Sequence, residues 1–264
     1  MRRAWQRGSA VAVLAAALVG AWPCVAVAPA SPALSPPPAP PQAPSLSPAR
    51  NAAEAGMVRL RDLDPALHHD IRYATRRNFT GRRVPGYRRA ECLLLRPAAE
   101  ALVRVERRLR AQGFALLLHD CYRPVRAVRA FVEWARSDDE RTRAEYYPAL
   151  PKSALVPDYI AEQSGHSRGA TVDVALLDCR SPSIAGAARA GAQACMPVDM
   201  GTRFDFFGPE AHTAAAHSPA VREARQRLVE AMAAEGFVNY PLEWWHFSWR
   251  AGPVPPLVYG FDVE

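Results

Sequence analysis

The sequence predicts an α+β domain built on a mostly antiparallel sheet with helices packed against it. Three observations predict it. Apolar residues recur at helical spacing in three separate windows. Short apolar runs bounded by glycine, proline and polar residues stand between and after them. The pieces follow one another without the regular strand–helix alternation that winds a parallel sheet.

The first helix is expected over 97–112, PAAEALVRVERRLRAQ, where Ala98, Leu102, Val105 and Leu109 share one face. Pro97 sits in its first turn and Gly113 follows its end, the usual punctuation. FALLLHDCY, 114–122, reads as a buried strand. Pro124 opens a second helix with Val125, Val128, Phe131, Val132 and Ala135 toward the core. Residues 136–163 are polar and proline-rich and read as a long loop. ATVDVALL, 170–177, is a strand, and 178–200 is a loop of small residues. A third helix runs from Pro219 to Glu235 and is closed by Gly236. FVNY and WWHFSWR are expected as the final strands.

The chain has 264 residues and 25 prolines, unevenly spread. Residues 1–30 carry Arg2, Arg3 and Arg7, an apolar run from Ala10 to Trp22, and small residues offering cleavage after Ala28 or Ala30. That is the layout of a secretory signal peptide, and the run is too short for a membrane span. The protein is therefore expected to be exported, periplasmic or secreted, with no span in the mature chain. Residues 31–49 are almost wholly Pro, Ala and Ser. They lack the bulk for a core, so 31–56 is expected as an extended tether. Residues 57–264 are enough for one domain with a sizeable core. Without Cys24, four cysteines remain, and an even count in an exported protein suggests two disulfides. Pairing nearest neighbours gives Cys92–Cys121 and Cys179–Cys195; the alternative is four small buried thiols. The net charge is +7, almost entirely arginine. The arginines are scattered, with no aromatic-interleaved platform for bases, so no nucleic-acid partner is expected.

Four stretches carry residues suited to chemistry. In SGHSRGATVDV, 164–174, His166 and Asp173 would lie about 23 Å apart on one strand and about 10 Å apart on one helix. Two ligands of one zinc each sit roughly 2 Å from it. They meet only if the chain folds back, and Gly169 is the residue best able to allow that. The plainer alternative is a hydrogen-bonded histidine at a strand start and an aspartate capping a turn. In EWWHF, 243–247, Glu243 suits a general base beside a metal-activated water, and His246 a third ligand. The alternative is an aromatic core strand ending in a His–Glu pair. In DCYRP, Arg123 follows a buried strand, a rigid place from which to present a guanidinium or to pair with Asp120. In MGTRFDFFG, Asp205 suits a substrate amine or a turn cap.

DCYRP, SGHSRG, MGTRFD and EWWH, in that order and with 71-IRYATRRNFTG-81 before them, resemble the zinc D-alanyl-D-alanine dipeptidases. These are the vancomycin-resistance dipeptidase type, related to DD-carboxypeptidases and to the hedgehog signalling domain. The resemblance covers most of Met57–Glu264 and implies that fold. It implies one zinc per chain held by His166, Asp173 and His246, with the fourth position for the attacking water. Glu243 would take that water's proton and hand it to the leaving amine, and Arg123 would stabilise the oxyanion. Tyr73 and Asp205 would receive the free amino group of a small dipeptide, and Ser164 would help bind it. Trp244 and Trp245 would orient the ligands, and Tyr73, Phe206 and tryptophans would wall a small pocket. The sequence departs from the family at Gly165, at Thr171–Val172 and at Cys121, where a glycine-like residue is usual. A Cys92–Cys121 disulfide would anchor the strand presenting Arg123. Export suggests turnover of cell-wall-derived dipeptide rather than antibiotic resistance. Trimming of peptidoglycan stem peptides by a carboxypeptidase or endopeptidase, and a catalytically silent zinc-containing wall-binding module, are the competing functions. His68, His69, His212 and His217 read as solvated, and His119 as a core histidine.

Overall fold

A computed structural model of the chain describes residues 44–180 and 195–264. The expected signal peptide, the first part of the tether and residues 181–194 lie outside the described residues. In chain order the elements are β1 (Ser45–Leu46), β2 (Met57–Arg59), α1 (Leu60–Leu63), β3 (His68–His69), β4 (Leu93–Leu95), α2 (Arg96–Arg110), β5 (Phe114–Asp120) and α3 (Val125–Ala135). They continue with α4 (Arg143–Tyr146), β6 (Thr171–Asp178), β7 (Met196–Pro197), α5 (Pro219–Ala233), β8 (Phe237–Asn239), β9 (His246–Trp249) and β10 (Leu257–Val258).

A six-stranded sheet in the order β3-β5-β6-β9-β8, with β7 on the far end of β6, is the frame. Within this sheet only the β3–β5 pair is parallel. The α+β, mostly antiparallel expectation holds. β5 and β6 are buried along nearly their whole length. A strand covered on both faces needs apolar residues at every position, which explains their continuous runs. On α2, Ala98, Leu102, Val105 and Leu109 are all fully buried, the stripe expected from their spacing. Glu106 is buried on the same helix, where it accepts the Leu116 amide at 2.7 Å and the Arg110 guanidinium. This carboxylate ties α2 to β5, and a satisfied buried charge is the only kind an interior tolerates.

Two differences from the expected layout have backbone causes. Residues 45–56 were expected in the tether, yet β1 pairs in parallel with β10, the Met57 amide bonds to Ala52 O, and Ala55 is buried. Ladder bonds use main-chain groups, so a Pro-, Ala- and Ser-rich composition does not forbid them. The strand expected over WWHFSWR, β9, begins only at His246, and Trp244 and Trp245 belong to the turn before it. The Trp244 amide is taken by Ala211 O, off the sheet, while Trp245 O accepts the Val174 amide.

Both expected disulfides are present, Cys92–Cys121 and Cys179–Cys195. The first links the residue before β4 to the residue after β5. The second closes the loop beyond β6. Proteolytic digestion of non-reduced protein should give one fragment pair joining Cys92 to Cys121 and another joining Cys179 to Cys195. Mass spectrometry showing any other pairing would contradict this fold.

Candidate active site

The sheet places two of the three candidate metal ligands. Asp173 on β6 stands directly opposite His246 on β9, and Asp120 on β5 stands opposite Asp173 on the other side. Directly opposed residues share a face of the sheet and bring their side chains within reach. His166 arrives differently, from the 3₁₀ turn Gly165–Arg168. Ser164 Oγ accepts the His166 amide at the start of that turn, and Gly169 ends it at φ +71°. The chain thus reverses at Gly169 and enters β6 with His166 facing Asp173. The conformation is in the left-handed region, where a side chain is disfavoured.

The donor atoms converge. His166 Nε2 is 3.2 Å from Asp173 Oδ1, His246 Nδ1 is 3.1 Å from the same oxygen, and the two nitrogens are 3.3 Å apart. A tetrahedral zinc with bonds of about 2.0–2.1 Å has ligand–ligand edges of about 3.3 Å. The triangle fits one face of such a site. Asp173 Oδ1 is buried without a hydrogen bond. His166 Nδ1 lies 2.7 Å from Cys121 O; donation to that carbonyl leaves the Nε2 lone pair free for a cation. Burial alone would raise the Asp173 carboxyl, but the two imidazoles outweigh it and hold it well below the usual range. Burial also lowers His246, favouring the neutral, ligating form. Two histidines and one carboxylate are a zinc donor set.

Glu243 lies beside this triangle, Oε2 at 3.5 Å from His246 Nδ1. Burial pushes its carboxyl well up, and Asp173 and Asp205 add to the effect. The turn that carries it is clamped by Asn239, whose Nδ2 donates to Glu243 O at 3.1 Å and His246 O at 3.0 Å. Thr213 Oγ1 in turn donates to Asn239 Oδ1.

Arg123 pairs with Asp120, the expected partner, and also reaches Asp173. Its guanidinium bonds Asp120 Oδ2 at 2.9 Å and reaches Asp173 Oδ2 at 3.4 Å. It also lies over the rings of Tyr73 and Phe131. Asp120 is fully buried and accepts the Tyr87 hydroxyl on its other oxygen at 2.6 Å. Asp205 adopts φ 64°, uncommon for a residue with a side chain and a mark of local constraint. Its Oδ1 accepts the Tyr73 hydroxyl at 2.8 Å, while Oδ2 is buried without a partner.

Arg123, Tyr73, Asp173, Asp205, Glu243 and His246 line one cavity of about 260 Å³, with Ser164, Gly165, Tyr159, Tyr240 and Trp245 also in its wall. Phe207 lines it in place of the expected Phe206, which packs instead beside Gly208. Trp244 is buried behind the site, its Nε1 donating to Thr202 Oγ1. All eight expected site residues are therefore brought together, seven of them lining the cavity with His166 buried behind it. Sequence reasoning missed the supports: Tyr87, the Cys121 carbonyl and Asn239. An asparagine inside the expected strand FVNY, two residues before Pro241, was the one available signal for the last. His119 is buried and stacks on Phe204, as a core histidine does. His212 and His217 are less free than expected, partnering Tyr159 and Arg225.

Comparison with known proteins shows the family. The family model for D-ala-D-ala dipeptidases, Peptidase_M15, matches residues 53–263. A D-alanyl-D-alanine dipeptidase of Enterococcus faecium is 34% identical over 215 residues, 80% of this chain and 100% of its own. One of Streptomyces coelicolor is 36% identical over 205 residues, covering 76% and 95%. One of Escherichia coli is 30% identical over 206 residues, covering 76% and 89%. A solved vancomycin-resistance D,D-pentapeptidase in complex with Zn(II) aligns at 17% identity with a TM-score of 0.36, over 63% of this chain and 77% of its own, too remote to bear on the site.

A Cβ at residue 169 would meet Met57 Cε at 2.3 Å, in addition to the backbone cost. Gly169→Ala should lower stability by about 1–2 kcal/mol from the left-handed conformation alone. Thermal denaturation measures this, and an unchanged melting temperature would contradict the turn.

Proposed function

The chain belongs to the D-Ala-D-Ala dipeptidase family of M15 metallopeptidases, and on that footing we propose that it hydrolyses the free dipeptide D-alanyl-D-alanine with one zinc per chain. The observation that carries this reading is the His166–Asp173–His246 triangle next to a buried Glu243. A bound zinc supplies Lewis-acid polarisation of the scissile carbonyl and lowers the pKa of water.

The chain's own residues supply the rest. Glu243 takes a proton from the attacking water and delivers it to the leaving amine. Its raised proton affinity suits that second task, since the acid must hold its proton until the C–N bond breaks. Arg123, fixed by Asp120, donates to the oxygen on which negative charge develops. Asp205 Oδ2 receives the substrate ammonium beside Tyr73. That contact is a specificity device: a blocked or longer substrate leaves a buried carboxylate oxygen unpaired, at a cost of a few kcal/mol. Ser164 contributes to binding at the mouth of the turn. The small aromatic-walled cavity suits methyl side chains.

Two disulfides support an oxidising compartment. Among the described residues no helix is long and apolar enough to cross a membrane. An exported enzyme meets dipeptide released from the cell wall, so its role is turnover of that pool.

Purified protein with zinc should cleave D-Ala-D-Ala and leave both its N-acetylated form and a stem pentapeptide intact. Pentapeptide trimming would identify a carboxypeptidase, and no cleavage a binding module. Glu243→Gln should retain zinc by metal analysis yet lose about 10²–10⁴-fold in kcat; near-normal turnover would remove it from the mechanism. Asp205→Asn should raise KM for the free dipeptide by about 10-fold or more, the worth of a charged hydrogen bond. Steady-state kinetics showing an unchanged KM would place the ammonium elsewhere.

A further inference from the structure

We infer that the Cys92–Cys121 disulfide is part of the metal-binding apparatus, because it fixes the carbonyl that holds His166 in its ligating form. The inference rests on the zinc reading above and assigns that crosslink a role beyond stabilising the fold.

The β5–β6 ladder is regular as far as Leu118↔Val174, then shifts before Asp120↔Asp173. Cys121 lies past the end of β5, so no sheet pairing sets the direction of its carbonyl. Yet that carbonyl is the hydrogen-bond partner of His166 Nδ1, at 2.7 Å. What holds it is the neighbourhood of β4. Cys121 is bonded through sulfur to Cys92, the residue before β4, and the Tyr122 amide donates to Leu93 O at 3.0 Å. Cys92 is itself pinned, its carbonyl accepting the Leu60 amide at 3.0 Å, and both cysteines are buried.

The same short strand holds the other side of the histidine. The Leu95 amide donates to Gly169 O at 2.7 Å, at the end of the turn that carries His166. His166 is therefore gripped by two arms that start from β4, besides the ties of its turn to Arg123, whose amide donates to His166 O at 3.3 Å and whose carbonyl accepts Ser167 Oγ at 2.8 Å. One is a hydrogen bond to the turn, the other a covalent bond to the segment supplying the acceptor. An outer partner of this kind fixes the tautomer and aim of a metal-binding histidine, and its loss typically costs about 10–100-fold in metal affinity. Replacing the cysteines keeps the carbonyl but frees its direction, so the lower end of that range applies. The second disulfide is an internal control. Cys179 lies beyond the opposite end of β6 from Asp173, and its amide bonds to Gly113 O, away from the ligands.

The test measures zinc affinity of the full chain by competition with a chromogenic chelator, with melting temperature alongside. It compares wild type, Cys92→Ala/Cys121→Ala and Cys179→Ala/Cys195→Ala. The first pair should bind zinc about tenfold more weakly, and the second pair as tightly as wild type despite its own loss of melting temperature. Wild-type affinity in the first pair, or equal weakening in both pairs, would overturn the inference while leaving the zinc reading intact. A wild type that binds no zinc would overturn the zinc reading itself. A second measurement does not depend on the variants folding. Imidazole ¹⁵N–¹H spectra of metal-free wild type should show His166 protonated at Nδ1 with a slowly exchanging proton; an Nε2–H tautomer would also overturn the inference.

Discussion

Two imidazole nitrogens and a carboxylate oxygen stand 3.1 to 3.3 Å apart in a buried corner. Such an arrangement opposes itself unless a cation or a set of shared protons lies between the donors. Something rigid must hold it. The central sheet holds Asp173 and His246 as a cross-strand pair, and the Gly169 turn brings His166 back against them. The architecture around the site follows from that need. β5 and β6 are buried on both faces because they carry the frame, and the helices cover it.

The charge balance of the cavity points the same way. Asp120, Asp173, Asp205 and Glu243 are all buried, and Arg123 is the guanidinium among them. Their environments differ. Asp120 is satisfied by Tyr87 and Arg123, and Asp173 is held ionised by two imidazoles. Burial drives Asp205 and Glu243 toward their protonated forms. In the proposed mechanism a divalent metal and a substrate ammonium supply the positive charge this group lacks. Glu243 keeps the high proton affinity that lets it act first as base and then as acid. Two carboxylates of the same kind thus take different roles because their surroundings differ.

Much of this was legible in the sequence, for physical reasons. The helices α2, α3 and α5 announce themselves by apolar spacing, with proline at each start and glycine just past the ends of α2 and α5. β5 and β6 are visible as unbroken apolar runs. His166, Gly169 and Asp173 are legible because one local turn does all the work. The supports are not, because they act through the main chain or across distant segments. A carbonyl such as that of Cys121 has no residue identity. Tyr87 and Asp120 are 33 positions apart, and β1 pairs through backbone groups that composition does not reveal. Phe206 and Phe207 differ by one position in an irregular loop, where no periodicity tells which ring faces the cavity.

The central claim is that one metal ion sits where the three donors meet. Anomalous diffraction collected on either side of the zinc edge, from crystals of zinc-loaded protein, tests it most directly. The account predicts a single strong peak about 2.0–2.2 Å from His166 Nε2, Asp173 Oδ1 and His246 Nδ1. A triangle left empty in zinc-replete crystals, or zinc held by other residues, would contradict it.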